Sequence, residues 1–167
     1  MTVQSALKAA AALCAAGLLA QPALAQTVTC AQLAQLQEQG KDHFSAIKGA
    51  ATYPGSAEST FLLDGAESCS LDFLDTTYPK FNCTWSGFAD EQSAEQARLE
   101  LKRQVLACIP QKFKARDRQM NLSGSNNFYT RITFDMLQPA MTIARRYSKI
   151  RHRFTVEFSF EMQLSED

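Results

Sequence analysis

The chain has 167 residues, of which 46% are hydrophobic, with 17 Lys and Arg against 17 Asp and Glu. That length suits one ordinary domain around a single core. Zero net charge argues against a general nucleic-acid binder. The balance is not local, however. Gln26–Glu100 holds 4 Lys and Arg against 11 Asp and Glu, and Leu101–Asp167 holds 12 against 6. Such asymmetry marks either a surface built for a charged partner or two halves that interleave in one sheet and neutralise each other. Interleaving is the preferred reading.

The N-terminus has the three zones of a secretory signal peptide: a positive start at Lys8, an uncharged apolar run from Ala9 to Ala20, and a small-x-small site at Ala23-Leu24-Ala25 behind Pro22. The run is too short for a membrane span, which needs about twenty residues. Residues 1–25 are therefore expected to be removed after Ala25, taking Cys14 with them. Residues 26–167 are read as a single α+β domain, periplasmic or secreted, without a transmembrane segment.

Cys30, Leu33, Leu36, Gly40, Phe44 and Ile47 recur at three- and four-residue steps and predict a first helix capped by Thr29. Gly40 falls on its inner face, where a missing Cβ permits close approach. Gly49 and Thr52–Ser56 end it. A short strand is expected at Ser59–Leu63, then an Asp64-Gly65 hairpin turn. Ser68–Leu74 follows with Cys69, Leu71 and Phe73 on one face, and after the Asp75–Pro79 turn Phe81, Cys83 and Trp85 share a face. Asp90 caps a second helix with Ala94, Ala97, Leu101, Val105 and Cys108 on one stripe, stopped by Pro110. Lys112–Arg118 reads as an edge strand and Asn121–Asn127 as a loop. Strands are expected from Phe128 to Met136, Ala140 to Tyr147 and Phe154 to Met162, with Gln138-Pro139 breaking the first. The final five residues are expected to fray. The prediction is α+β: a two-layer sandwich of one mostly antiparallel sheet with about six or seven strands, both helices on one face, in the order α-βββ-α-ββββ.

Four cysteines remain after cleavage and allow three pairings. Cys69 and Cys83 fall opposite each other if Leu71 faces Phe81, a register in which the apolar parity of both strands agrees. Cys30 and Cys108 lie on the inward stripes of the two helices. The predicted disulfides are Cys69–Cys83 and Cys30–Cys108. Zinc spacing and CxxC pairs are absent from the sequence, so structural bonds are favoured over a metal site.

His43, next to the inner stripe of the first helix, and His152, within a run of cations, form no hydrolase pattern. Asp64, Glu67, Asp72 and Asp75 occupy turn and strand-edge positions where acids serve turn chemistry. No catalytic residue, metal ligand or cofactor is assigned. The basic residues say more. Lys112, Lys114, Arg116 and Arg118 alternate along one strand, while Arg145, Arg146, Lys149, Arg151 and Arg153 gather around the last hairpin. They suit an acidic protein, a lipid or lipopolysaccharide headgroup, or a cell-wall polymer, or equally a solvated edge strand kept from aggregating by its charge. Tyr78, at the tip of the Asp75–Lys80 loop, is a further contact candidate.

The outline of a disulfide-stapled helix-plus-meander unit resembles small exported inhibitor modules of the β-lactamase-inhibitor and lysozyme-inhibitor type. The resemblance is of architecture alone and assigns no residue a role. The expected function is an exported, non-catalytic binding module, inhibitor- or immunity-like, contacting a protein or an anionic cell-envelope component. The alternative is a carrier of a small apolar or amphipathic ligand, held in a cavity between sheet and helices lined by Phe134, Phe154, Phe158 and Trp85.

Overall fold

A computed structural model describes residues 27–75, 77–109, 113–122, 125–134 and 140–162. The expected signal segment with Cys14, the Pro110 helix stop, Lys112, the Gln138-Pro139 break and the last five residues lie outside the described residues.

Helix α1 runs Cys30–Gly40. Thr29 caps it reciprocally with Gln32, whose backbone N–H donates to Thr29 Oγ1 at 3.2 Å while Thr29 N–H donates to Gln32 Oε1 at 2.9 Å. The helix is shorter than the periodicity predicts. His43 and Phe44 turn left-handed, at φ 49° and 58°, and a 3₁₀ turn follows at Ser45–Ile47. Phe44 and Ile47 are nonetheless buried, because the turn keeps both residues pointed inward; spacing alone cannot separate that path from a continued helix. His43 thus lies in an exposed turn and not on the helix. At Gly40 an added Cβ would stand 3.2 Å from Met162 Cγ and 3.4 Å from Phe44 Cζ, so the bare backbone does allow close packing there.

Among the described residues eight strands follow the first helix: β1 Lys48–Tyr53, β2 Ser56–Ser59, β3 Ser68–Asp72 and β4 Lys80–Phe88, then helix α2 Glu91–Ala107, then β5 Phe113–Leu122, β6 Ser125–Phe134, β7 Ala140–Ser148 and β8 Arg153–Glu161. They form one sheet in the order β1-β2-β3-β4-β8-β7-β6-β5, and every neighbouring pair is antiparallel. The sequence misses β1 because that edge strand is almost wholly exposed and carries no apolar alternation. The strand expected at Ser59–Leu63 lies earlier, at Ser56–Ser59. Asp64 is not the corner of a two-residue hairpin. It bridges to Thr27, and its carbonyl accepts the Trp85 indole N–H at 3.1 Å. The loop expected over Asn121–Asn127 is mostly ladder, since Leu122 pairs with Ser125. The element order is accordingly α-ββββ-α-ββββ.

The preferred reading of the charge asymmetry holds in part: the two halves share one sheet and ion pairs such as Lys80–Glu161 and Arg145–Glu91 cross between them, but the strands are not interleaved. Strands β1–β4 and β5–β8 do not interleave; two meanders lie side by side and meet only along β4 and β8.

One core cluster joins Leu33 and Leu36 of α1, Ala94, Leu101 and Val105 of α2, and alternate residues of the central strands: Phe81, Cys83 and Trp85 on β4, Met141 and Ile143 on β7, Val156, Phe158 and Phe160 on β8. Both expected disulfides are present. Cys69 and Cys83 are register partners with Cα atoms 4.1 Å apart, flanked by the Leu71–Phe81 pair. Cys30 and Cys108 join the start of α1 to the C-cap of α2. Asp90 caps α2 as expected, accepting the Ser93 N–H at 2.7 Å, a bond that holds its carboxyl below the usual range. Among the described residues no helix is long and apolar enough to cross a membrane.

Candidate functional site: an arginine-lined cleft

Alternation along β7 separates two arginines that adjoin in sequence. Counting by two from buried Ile143 places Arg145 on the core side, and it is 2% exposed. There it meets Glu91 Oε1 of α2 at 2.7 Å and Glu95 Oε2 at 3.7 Å. Glu95 also holds buried Arg98 at 2.7 Å. Arg145 is therefore a strut between sheet and helix, and its guanidinium is not offered to a partner. Desolvating an arginine needs such compensation, and two glutamates four apart on α2 supply it.

Arg146 points the other way. Together with Arg151 and Arg153 it lines a cleft of about 380 Å³ at the end of the sheet where β7 turns into β8. Thr84, Ser148 and Thr155 complete the polar lining. Glu157 is the one acidic residue in the lining, against three arginines. Arg146 Nε donates to Glu157 Oε2 at 2.6 Å. Burial pushes the Glu157 carboxyl up, against the opposing pull of Arg146, so its negative charge is held reluctantly. Arg153 has only a loose pair with Glu67, at 3.7 Å, and the Ser86 hydroxyl donates to that same Glu67. Arg153 Nε is buried without a hydrogen-bond partner among the described residues. Arg151 has no ion-pair partner there either; its backbone N–H donates to Ser148 Oγ at 3.2 Å, which fixes the turn.

The other basic candidates lie apart. Arg116 and Arg118 are exposed on edge strand β5, and Asp117 between them turns to α2, pairing with Lys102 at 2.6 Å. By alternation both arginines share the cleft's side of the sheet. Arg118 stands in one ladder row with Tyr129, Ala144 and Glu157, about 15 Å from Glu157 across three strand spacings. Lys114 is placed in β5 by its backbone. Tyr78 is half-buried in the β3–β4 loop, at the opposite end of the sheet. Asp72 and Asp75 accept backbone N–H groups of Leu74 and Thr77 at 2.9 and 3.0 Å, which is turn chemistry. His152 sits in the hairpin at φ 48°, with Nδ1 3.5 Å from the Tyr147 hydroxyl. No group of three His, Cys, Asp or Glu close enough to hold a metal occurs among the described residues.

Sequence reasoning named the arginines of the cleft but missed Thr84, Thr155 and Glu157. The strict alternation of β8, with Val156 and Phe158 inward, was signal enough to put Thr155 and Glu157 beside Arg146. Comparison with protein-family models, with curated proteins and with solved structures finds no match.

Proposed function

We propose that this chain is an exported, non-catalytic binding module that receives an anionic group in the cleft formed by Arg146, Arg151 and Arg153. One observation carries the reading: three arginines line the cleft with a single acidic residue, and one guanidinium N–H, Arg153 Nε, is buried without a partner among the described residues. A buried donor left unbonded is costly, and an incoming oxyanion would satisfy it. Arginine forks suit phosphate or carboxylate oxygens in two-point contact. A partner longer than the cleft would run along the same face toward Arg118. In this reading the fold is two-layered: the helices cover one face of the sheet and leave the other for the partner.

Export and processing near Ala25 belong to the same proposal. They rest on the signal-like N-terminus and on the two disulfides, which persist in oxidising compartments. The carrier alternative has weaker support. Trp85 and Phe158 are buried members of the core cluster, and Phe154 lies against Tyr147 with ring centroids 4.8 Å apart.

Pyrophosphate titration tests the reading. Relative to wild type, R146A/R153A is expected to bind at least about tenfold more weakly, each lost charge-assisted contact being worth more than a neutral hydrogen bond. R116A/R118A, altered outside the cleft, is expected to stay within about twofold. Equal affinity in R146A/R153A and wild type contradicts the proposal.

A further inference from the structure

The hairpin that closes the cleft carries a second feature. Ile150, at its apex, is 93% exposed, the most exposed large hydrophobic residue among those described. Lys149 and Arg151 flank it, and the stretch from Arg146 to Arg153 contains four cations besides His152 and no acid: Arg146, Lys149, Arg151 and Arg153. The tip is held in shape. The Arg151 N–H is bound to Ser148 Oγ, and the Tyr147 and Phe154 rings pack at the base. An apolar apex ringed by cations on a braced hairpin has the pattern of an interfacial anchor. The apolar residue enters the headgroup–acyl boundary while long cationic side chains reach the phosphates around it.

We infer that the β7–β8 hairpin docks the protein onto an anionic phospholipid surface, with Ile150 inserted and a lipid phosphate held in the arginine cleft. This rests on the cleft being an anion site and names the partner. Geometry favours a bilayer over an acidic protein. Protein interfaces are centred on buried apolar or aromatic anchors set in pockets. Here a single apolar side chain projects beyond the cations, and nothing apolar of comparable exposure stands beside it in the hairpin. The two parts act together: Ile150 sets the depth and the cleft selects for charge.

The test is vesicle flotation of the exported protein against phosphatidylcholine alone and against a phosphatidylcholine–phosphatidylglycerol mixture, run beside the pyrophosphate titration. Wild type is expected to float with the anionic vesicles, to stay behind with the neutral ones, and to be released by salt. I150S is expected to partition about tenfold less onto anionic vesicles, from the loss of a buried Ile, while binding pyrophosphate like wild type. R151A is expected to lose roughly fivefold in partition, the effect of one cation near such a surface. Because Ile150 is nearly fully exposed, I150S should fold normally. Failure to float, with pyrophosphate binding intact, overturns the lipid inference and leaves the cleft standing, with a soluble anion or acidic protein as partner. Undiminished flotation of I150S also overturns it. Loss of both activities removes the cleft reading as well.

Discussion

On β7 the side chain of Arg145 is enclosed between sheet and α2, whereas that of Arg146 is 54% exposed above Glu157. The same side chain one residue apart therefore has different consequences. R145A is expected to lower unfolding stability by about 2–3 kcal/mol, because it empties a packed site and takes the partner from Glu91, while R145M should be closer to neutral. R146A should cost clearly less stability than R145A, because the Arg146 side chain is itself half-exposed, and should weaken anion binding. Urea unfolding of the three variants checks this, and equal destabilisation by R145A and R146A would count against the two assignments. Glu157 adds a pH signature. Its ladder partners are Thr84 and Ala144, and the charge that meets it is Arg146. Since folding raises its carboxyl above the ordinary value of 4.5, the folded state holds the proton more tightly than the unfolded chain. The stability this gives is full below the ordinary value and is lost as pH rises through the raised one. E157Q should flatten that slope. It should also tighten pyrophosphate binding at neutral pH by about fivefold, from removing a like charge beside the ligand. Equal pH slopes in wild type and E157Q would refute this account of Glu157.

Among the elements, the two disulfides close loops of different length, with sequence separations of 78 for Cys30–Cys108 and 14 for Cys69–Cys83. Loop closure makes the first worth about 4.5 kcal/mol and the second about 3 kcal/mol. C30A/C108A should therefore be the less stable double variant in chemical denaturation. The reverse order would mean that packing around the buried Cys83 outweighs chain entropy. These pairings were legible because parity constrains them: Leu71 facing Phe81 forces Cys69 onto Cys83. Both caps were legible too, since Thr29 and Asp90 act through local bonds. What escaped the sequence were features that leave no apolar period. Strand β1 is exposed on nearly every residue, and the α1 terminus is hidden because a left-handed Phe44 keeps the inward spacing a helix would have.

For the whole molecule, the decisive fact is that the strands of the acidic and basic halves are neighbours and do not interleave. The strand order sets one meander beside the other along β4 and β8. Helix α2 carries acids into the basic half, where Glu91 and Glu95 meet Arg145. That neutralises the core side of the meander and leaves Arg116, Arg118, Arg146 and Arg153 on the other. The basic cluster was visible in the sequence, and alternation along β7 puts Arg145 and Arg146 on opposite faces, but the acids that make Arg145 a strut come from α2 across the fold. The most direct measurement follows backbone amide shifts during pyrophosphate titration of the protein. The account predicts saturable shifts centred on Arg146, Arg151, Arg153 and Thr155. Shifts absent there, or centred on Tyr78 at the far end of the sheet, would contradict it.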